Sequence, residues 1–210
     1  MTSITLCMVV HNEEKTIGRI LRTCKPFVDE IIICDQASTD KTCTIAKKQG
    51  ALVWHTTRKG LADIDRQDCY NFATKDMIFV LDGDEMPDKN LIKFIKTIRE
   101  EGPKYDVYNF SFKNTVDNVD IKEVLDEDWH PRLWVNKQPP VLTWPQMAHT
   151  YPKVDTKSVL FCTRGKINHI RTFNKIKQVT EERTQVIDPA NAQREVAFLQ
   201  QVGMVLEKRK

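Results

Sequence analysis

Paired metal-binding cysteines are missing from this sequence. Its six cysteines, at 7, 24, 34, 43, 69 and 162, include no two at Cys-x-x-Cys spacing. A structural zinc site built on Cys or His pairs two to four residues apart is therefore not expected. Several of these cysteines fall within apolar strand or helix patterns, which predicts buried free thiols. Long apolar runs are missing too, since no stretch approaches the roughly 20 residues that span a bilayer. The first ten residues lack a basic n-region and meet the polar His11-Asn12-Glu13-Glu14 after a short apolar run, so they read as a strand rather than a signal peptide. A cytoplasmic protein is expected. An excess of one charge is also missing: 29% of residues are charged, yet the net charge is only +3, which gives little reason to expect a dedicated nucleic-acid binder or an acidic scaffold.

What is present is enough chain for one sizeable core: 210 residues, 40% of them hydrophobic. A single domain over 1–210 is expected, with a first half to residue 102 and a second half from 103. The first half alternates strand and helix signals, the pattern of a parallel sheet covered by helices. Ile4 to Val10, Glu30 to Cys34, Ala51 to His55 and Met77 to Leu81 read as strands. Helices are expected after the first strand, from Ser38-Thr39-Asp40 to a stop at Gly50, over about 61 to 74, and from Pro87-Asp88 to Gly102. Beyond Pro103, Tyr105 to Lys113 alternates like an antiparallel or mixed strand. The stretch to Pro152 reads as loops and short strands, and helix returns from about Phe173, with a break at Asp188-Pro189.

In an open parallel sheet, ligands sit at the carboxyl ends of the strands. Those ends are polar here: His11-Asn12-Glu13-Glu14, Asp35, His55 and Asp82-Gly83-Asp84-Glu85. Two aspartates around one glycine can turn toward a single oxygen-seeking cation, because the glycine lets the backbone bend tightly between them. A lone Asp-x-Asp is common, and each piece has an ordinary role in a turn or helix start. Their occurrence in order, each at a strand end, is what singles them out.

On Cys7-Met-Val-Val-His-Asn-Glu-Glu14, Ile31-Ile-Ile-Cys-Asp-Gln-Ala-Ser-Thr-Asp-Lys-Thr42 and Val80-Leu-Asp-Gly-Asp-Glu85, the sequence resembles the family 2 glycosyltransferases, inverting enzymes of the GT-A fold. Within that family it looks most like the branch that adds sugars to lipopolysaccharide core, matched here by Arg132-Leu133, His149-Thr150 and His169. The resemblance implies a Rossmann-like, mostly parallel α/β sheet flanked by helices, with a loop-rich acceptor region and C-terminal helices. It implies a nucleotide-diphosphate sugar donor, UDP-linked, and a divalent metal, Mn2+ or Mg2+. His11 and Glu13 would line the nucleotide pocket, Asp35 would contact the base, and Arg66 would approach the diphosphate or the loop that covers it. Asp82 would face the ribose and metal beside Gly83. Asp84 would be the principal metal ligand, and His169 would complete the coordination.

An inverting transferase needs a group that takes the acceptor proton. The family's His-Glu pair is His149-Thr150 here, and threonine cannot serve unaided. Asp128, just before Arg132-Leu133, is the first candidate and His149 the second. Trp129, Trp134 and Trp144 offer ring faces for an acceptor platform, although core packing is the commoner fate of such residues. The acceptor is open: a glycan, a lipid-linked glycan at the inner membrane surface, or a modified DNA base. Two other readings compete. A nucleotide-sugar-binding protein without catalysis is suggested by Thr150. A sugar-nucleotide pyrophosphorylase is weaker, since its glycine-rich loop with an activating Arg and Lys is replaced by His11-Asn12-Glu13-Glu14.

Overall fold

Strand β1 (Ile4–Val10) is buried along its whole length, so it must be covered on both faces. In the computed structural model, which describes residues 1–58, 62–121, 129–145, 151–184 and 189–208, it lies between β2 (Glu30–Gln36) and β4 (Met77–Asp82). Both pair with it in parallel. β3 (Leu52–Thr56) adds to the outside of β2, again in parallel. The residues of β1 alternate between two core clusters: Leu6, Met8 and Val10 face one, Cys7 and Val9 the other, as a period of two requires.

The intervening helices follow from their apolar spacing. In α1 (Ile17–Cys24), which runs into a 3-10 turn at Lys25–Phe27, the buried Ile17, Ile20, Leu21 and Cys24 recur at i, i+3, i+4 and i+7. α2 (Thr42–Lys48) begins slightly later than the capping residues suggest, but the Asp40 carboxylate still accepts the Thr42 N–H at 2.9 Å. Gly50 closes the C-terminal end of α2 at φ +88°, as expected. α3 (Ala62–Asn71) lies within the predicted stretch. Pro87 does not open the next helix; it ends a three-residue strand, β5 (Glu85–Pro87). Asp88 is then the cap of α4 (Lys89–Glu101), accepting the Leu91 N–H at 2.7 Å.

The second half extends the sheet with β6 (Val107–Val116), β7 (Val119–Asp120), β8 (Trp129–Val135) and β11 (Val159–Arg171). The order is β3-β2-β1-β4-β8-β6-β11-β5, with β7 paired to β6. β8 is antiparallel to both β4 and β6, β6 and β11 run parallel, and β5 is antiparallel to β11. The sheet is thus parallel in its first half and mixed in its second. β9 (Leu142–Thr143) and β10 (Lys153–Val154) form a separate small pair. α5 (Phe173–Thr184) and α6 (Pro189–Glu207) share a third apolar cluster with Val116 and Ile121. Among the described residues, no helix is long and apolar enough to cross a membrane.

β11 is the element that periodicity hides. Its register against β6 shifts between Cys162 and Lys166, where Arg164-Gly165-Lys166 interrupts the alternation. Gly165 is needed there, because a Cβ at that position would stand 2.3 Å from Leu91 N and 2.5 Å from Leu91 Cα. The bulge therefore seats β11 on the first turn of α4. One further feature positions the site. β5 follows β4 after only Gly83 and Asp84, yet it lies at the far end of the path through β8, β6 and β11. The sheet curls until the turn after Asp82 bridges its two sides.

Candidate functional site

The loops after β1 and β2 are tied to each other. Asn12, in the left-handed region at φ +53°, donates its N–H to Ser38 Oγ at 2.9 Å and accepts the Thr39 N–H at 2.9 Å. Glu13 donates its N–H to Thr42 Oγ1 at 2.7 Å, and His11 Nδ1 lies 2.6 Å from the Gln36 carbonyl. This lacing directs the Glu13 side chain inward, where it is 7% exposed. There Glu13 Oε2 lies 2.8 Å from the Thr16 hydroxyl, which is also 2.7 Å from the Gly83 carbonyl. Glu13 Oε1 pairs with Lys175 of α5. Gly83 makes this approach feasible, since a Cβ there would stand 2.4 Å from Glu13 Cγ.

The Asp82 carboxylate takes both guanidinium nitrogens of Arg66, at 2.8 and 2.9 Å, a bidentate pair. Arg132, from β8, lies 3.6 Å from Asp82 and 2.6 Å from Glu85. The other Glu85 oxygen accepts the Asp82 N–H at 2.9 Å. Each guanidinium also lies over a ring: Arg66 is 5.0 Å from the Trp144 centroid and Arg132 5.2 Å from that of Phe112. Burial opposes the charge on Asp82, but Arg66 and then Arg132 hold its carboxyl well below the usual range.

Asp84 stands on the other side of the turn. β11 pairs in register with β5, placing His169 opposite Glu85, and His169 Nε2 comes within 3.3 Å of Asp84 Oδ1. Asn114 of β6 lies opposite His169 in the parallel register and orients the ring, its Oδ1 lying 3.1 Å from Nδ1. Burial works against the Asp84 charge, but the adjacent His169, then Lys175 and Arg171, bring its carboxyl down to about 2. Burial, and next the Asp84 charge, push the Glu13 carboxyl up, opposed by Lys175.

Asp35, at the end of β2, is 1% exposed. Its Oδ2 accepts the Ser38 N–H at 3.2 Å and lies 3.2 Å from His55 Nδ1. Its Oδ1 is buried without a hydrogen-bond partner, and buried polar atoms are rarely left so unless something else meets them.

The sequence candidates thus fall at one edge of the sheet, in two groups. Glu13, Arg66, Asp82, Gly83, Asp84 and His169 form one; Asp35 stands in the other, and His11 joins the two loops. Asp128, His149 and Thr150 lie outside the described residues. Trp134 and Trp144 are buried, with Tyr70 edge-on to both at 5.0 and 6.5 Å, which is core packing. Trp129 is half-buried, 5.7 Å from the Phe161 ring. Two members carry no local signal. Lys175 reaches Glu13 across 162 positions of sequence, and Asn114 is one of several polar residues in β6, with nothing to set it apart. Glu85 and Arg132, 47 positions apart, meet only through the fold, with Arg132 in the middle of β8.

The sequence matches Glycosyl transferase family 2 over residues 5–165. It is 39% identical over 85 residues to a TPR repeat-containing protein of Synechococcus elongatus, covering 40% of this chain and 21% of that one. It is 32% identical over 97 residues to an uncharacterized glycosyltransferase of Rickettsia felis, covering 43% and 32%. The chain therefore matches at most a third of the length of these curated relatives. Among solved structures, S. aureus TarS 1–349 in complex with UDP aligns at a TM-score of 0.59 and 16% identity, covering 94% of this chain and 70% of that one. The complex with UDP-GlcNAc aligns at 0.57 and 14%, covering 95% and 72%. At such identities the likeness is one of fold, and the fold shared with these glycosyltransferases is the GT-A arrangement.

Proposed function

Because this chain belongs to glycosyl transferase family 2, we propose that it moves a sugar, with inversion, from a nucleotide-diphosphate donor to an acceptor hydroxyl, using a divalent cation held by Asp84 and His169. The observation that carries this reading is the Asp84–His169 pair. An ionised carboxylate and an imidazole nitrogen 3.3 Å apart match the separation of about 3 Å expected of two neighbouring ligands on one small cation. An oxygen–nitrogen pair suits Mn2+ at least as well as Mg2+. Both Asp82 oxygens face Arg66, so it would ligate directly only on releasing that guanidinium. When bound, the cation would neutralise charge building on the departing diphosphate.

The chain's own residues supply the rest. Asp82 and Glu85 fix Arg66 and Arg132 beside the Gly83–Asp84 turn, so these guanidinium groups are already oriented before a donor arrives. The unpartnered Asp35 Oδ1 is the acceptor we assign to the N–H of a nucleobase. Uridine diphosphate, present in the S. aureus neighbour, is the first nucleotide to test. Calorimetry should show UDP binding strengthened by Mn2+, and Asp35→Ala should weaken it by about 1 to 3 kcal/mol. Unchanged affinity would remove Asp35 from the nucleotide pocket.

Asp128 is the group we assign to the acceptor proton. Asp128→Asn should keep donor affinity and lower turnover by about 100-fold or more, with His149→Ala nearly silent. The opposite pattern in steady-state kinetics reverses the two roles. Donor binding without turnover by the wild type, across a panel of acceptors, would favour the binding protein suggested by Thr150.

A further inference from the structure

Away from Asp84, the outer edge of the same strand ends brings three different ligand chemistries together. Asp35 and His55 are register partners on the parallel strands β2 and β3, so their side chains leave the sheet side by side. The first turn of α2 brings Cys43 to them. One ligand atom from each of Asp35, Cys43 and His55 lies within 4.8 Å of the other two, and His55 Nδ1 is only 3.2 Å from Asp35 Oδ2. Among the six cysteines, Cys43 alone is not buried. The Asp35 side chain is 2% exposed and that of His55 is 54% exposed, so the cluster has a closed floor and an open side. On that floor the Asp35 Oδ1 atom has no hydrogen-bond partner.

We propose that Asp35, Cys43 and His55 form a second metal site that takes Zn2+ in preference to Mn2+ or Mg2+, and that a metal bound there competes with the nucleotide. A thiolate, an imidazole and a carboxylate are the ligand types of zinc, whereas Mg2+ and Mn2+ favour oxygen. With bonds of about 2.0 to 2.3 Å, tetrahedral ligands stand roughly 3.3 to 3.8 Å apart. Closing the cluster therefore needs a contraction of no more than about 1.5 Å at its widest edge, within reach of a side-chain adjustment at exposed His55. Binding is a simple exchange: the Cys43 thiol loses its proton to solvent as the S–Zn bond forms, and thiolate plus carboxylate balance the 2+ charge. Three protein ligands leave a fourth position toward solvent. Pattern reading misses the site because its ligands come from three separate elements and share no short spacing.

Competition follows because one carboxylate cannot serve a metal and a nucleobase at once. That part rests on the nucleotide reading above; metal binding does not. The test uses the full chain with Mg2+ in excess, titrated with Co2+ and with Zn2+. Co2+ should produce a near-ultraviolet thiolate-to-metal charge-transfer band, lost in Cys43→Ser and unchanged in Asp84→Ala. Calorimetric Zn2+ affinity should fall at least about tenfold in both Cys43→Ser and His55→Ala, the minimum loss even for residues that only support a ligand. Absence of the band in the wild type, or its persistence in Cys43→Ser, overturns the site. Zn2+ should raise the apparent Kd for UDP in the wild type and leave it unchanged in Cys43→Ser. A Cys43-dependent band with no effect on UDP keeps the metal site and removes Asp35 from the nucleotide pocket.

Discussion

Asp84→Ala is expected to lower sugar transfer by about 100- to 1000-fold, the several kcal/mol that a cation contributes to a charged transition state. Its Mn2+ dependence should disappear with the activity. The reason lies in the environment of this carboxyl. It is pulled down to about 2 by His169 and then by Lys175 and Arg171, so it carries a full negative charge at any working pH. Asp84→Asn separates charge from shape, because the amide fills the same space beside His169 without the charge. It should lose nearly as much activity as the alanine variant while unfolding in denaturant at the wild-type midpoint. His169→Ala should mainly raise the Mn2+ concentration needed for half-maximal rate. Transfer at the wild-type rate by Asp84→Asn would remove Asp84 from metal binding.

Arg132→Met is expected to destabilise the fold by about 3 to 5 kcal/mol, the usual cost of stranding a buried charge. Arg132 is 5% exposed and Glu85 1%, and the two meet at 2.6 Å. Without the guanidinium, Glu85 must either stay ionised while buried beside the Asp82 charge or take up a proton, and burial already pushes its carboxyl up. The double variant Arg132→Met, Glu85→Leu should recover much of that loss, since an apolar pair often replaces a buried ion pair at little cost. Urea unfolding decides it. A single-variant loss under about 1 kcal/mol would mean that water screens this pair as it does surface pairs. Activity should stay low in the double variant, because Asp82 then keeps only Arg66.

The βα half of the fold was legible because its signals are local. The strands are short apolar runs, Gly50 and Asp88 mark helix ends, and the polar residues that follow each strand in sequence also follow it in space. His11, Glu13, Asp35 and Asp82 could therefore be named together from spacing alone. The second half obeys longer-range rules. The thirteen residues of β11 are held by β6 and β5 rather than by their own alternation, which the Gly165 bulge interrupts. Pro87 illustrates a local rule overridden: it fits the opening of a helix, but pairing with Ile167 makes it the end of a strand, where its missing N–H costs little. His169 could be suspected only by resemblance, for nothing near it in sequence shows that β11 runs beside the aspartates. Arg66 was expected at the diphosphate or the loop that covers it; what sequence could not show is its bidentate pairing with Asp82, which arises because α3 points it at the end of β4.

The turn through Gly83 and Asp84 behaves as a strut rather than as a hairpin loop. In a hairpin the flanking strands bond to each other, and an added residue bulges harmlessly into water. Here β4 and β5 are held apart by the intervening path of β8, β6 and β11, while Arg132 braces both sides through Asp82 and Glu85. How far the sheet coils and how far the Arg66–Asp82 pair stands from the Asp84–His169 pair are therefore a single degree of freedom. A close-packed interior passes small volume changes along, so trimming Phe110 on β6 or Leu133 on β8, both fully buried, should alter that separation without changing any of those four residues.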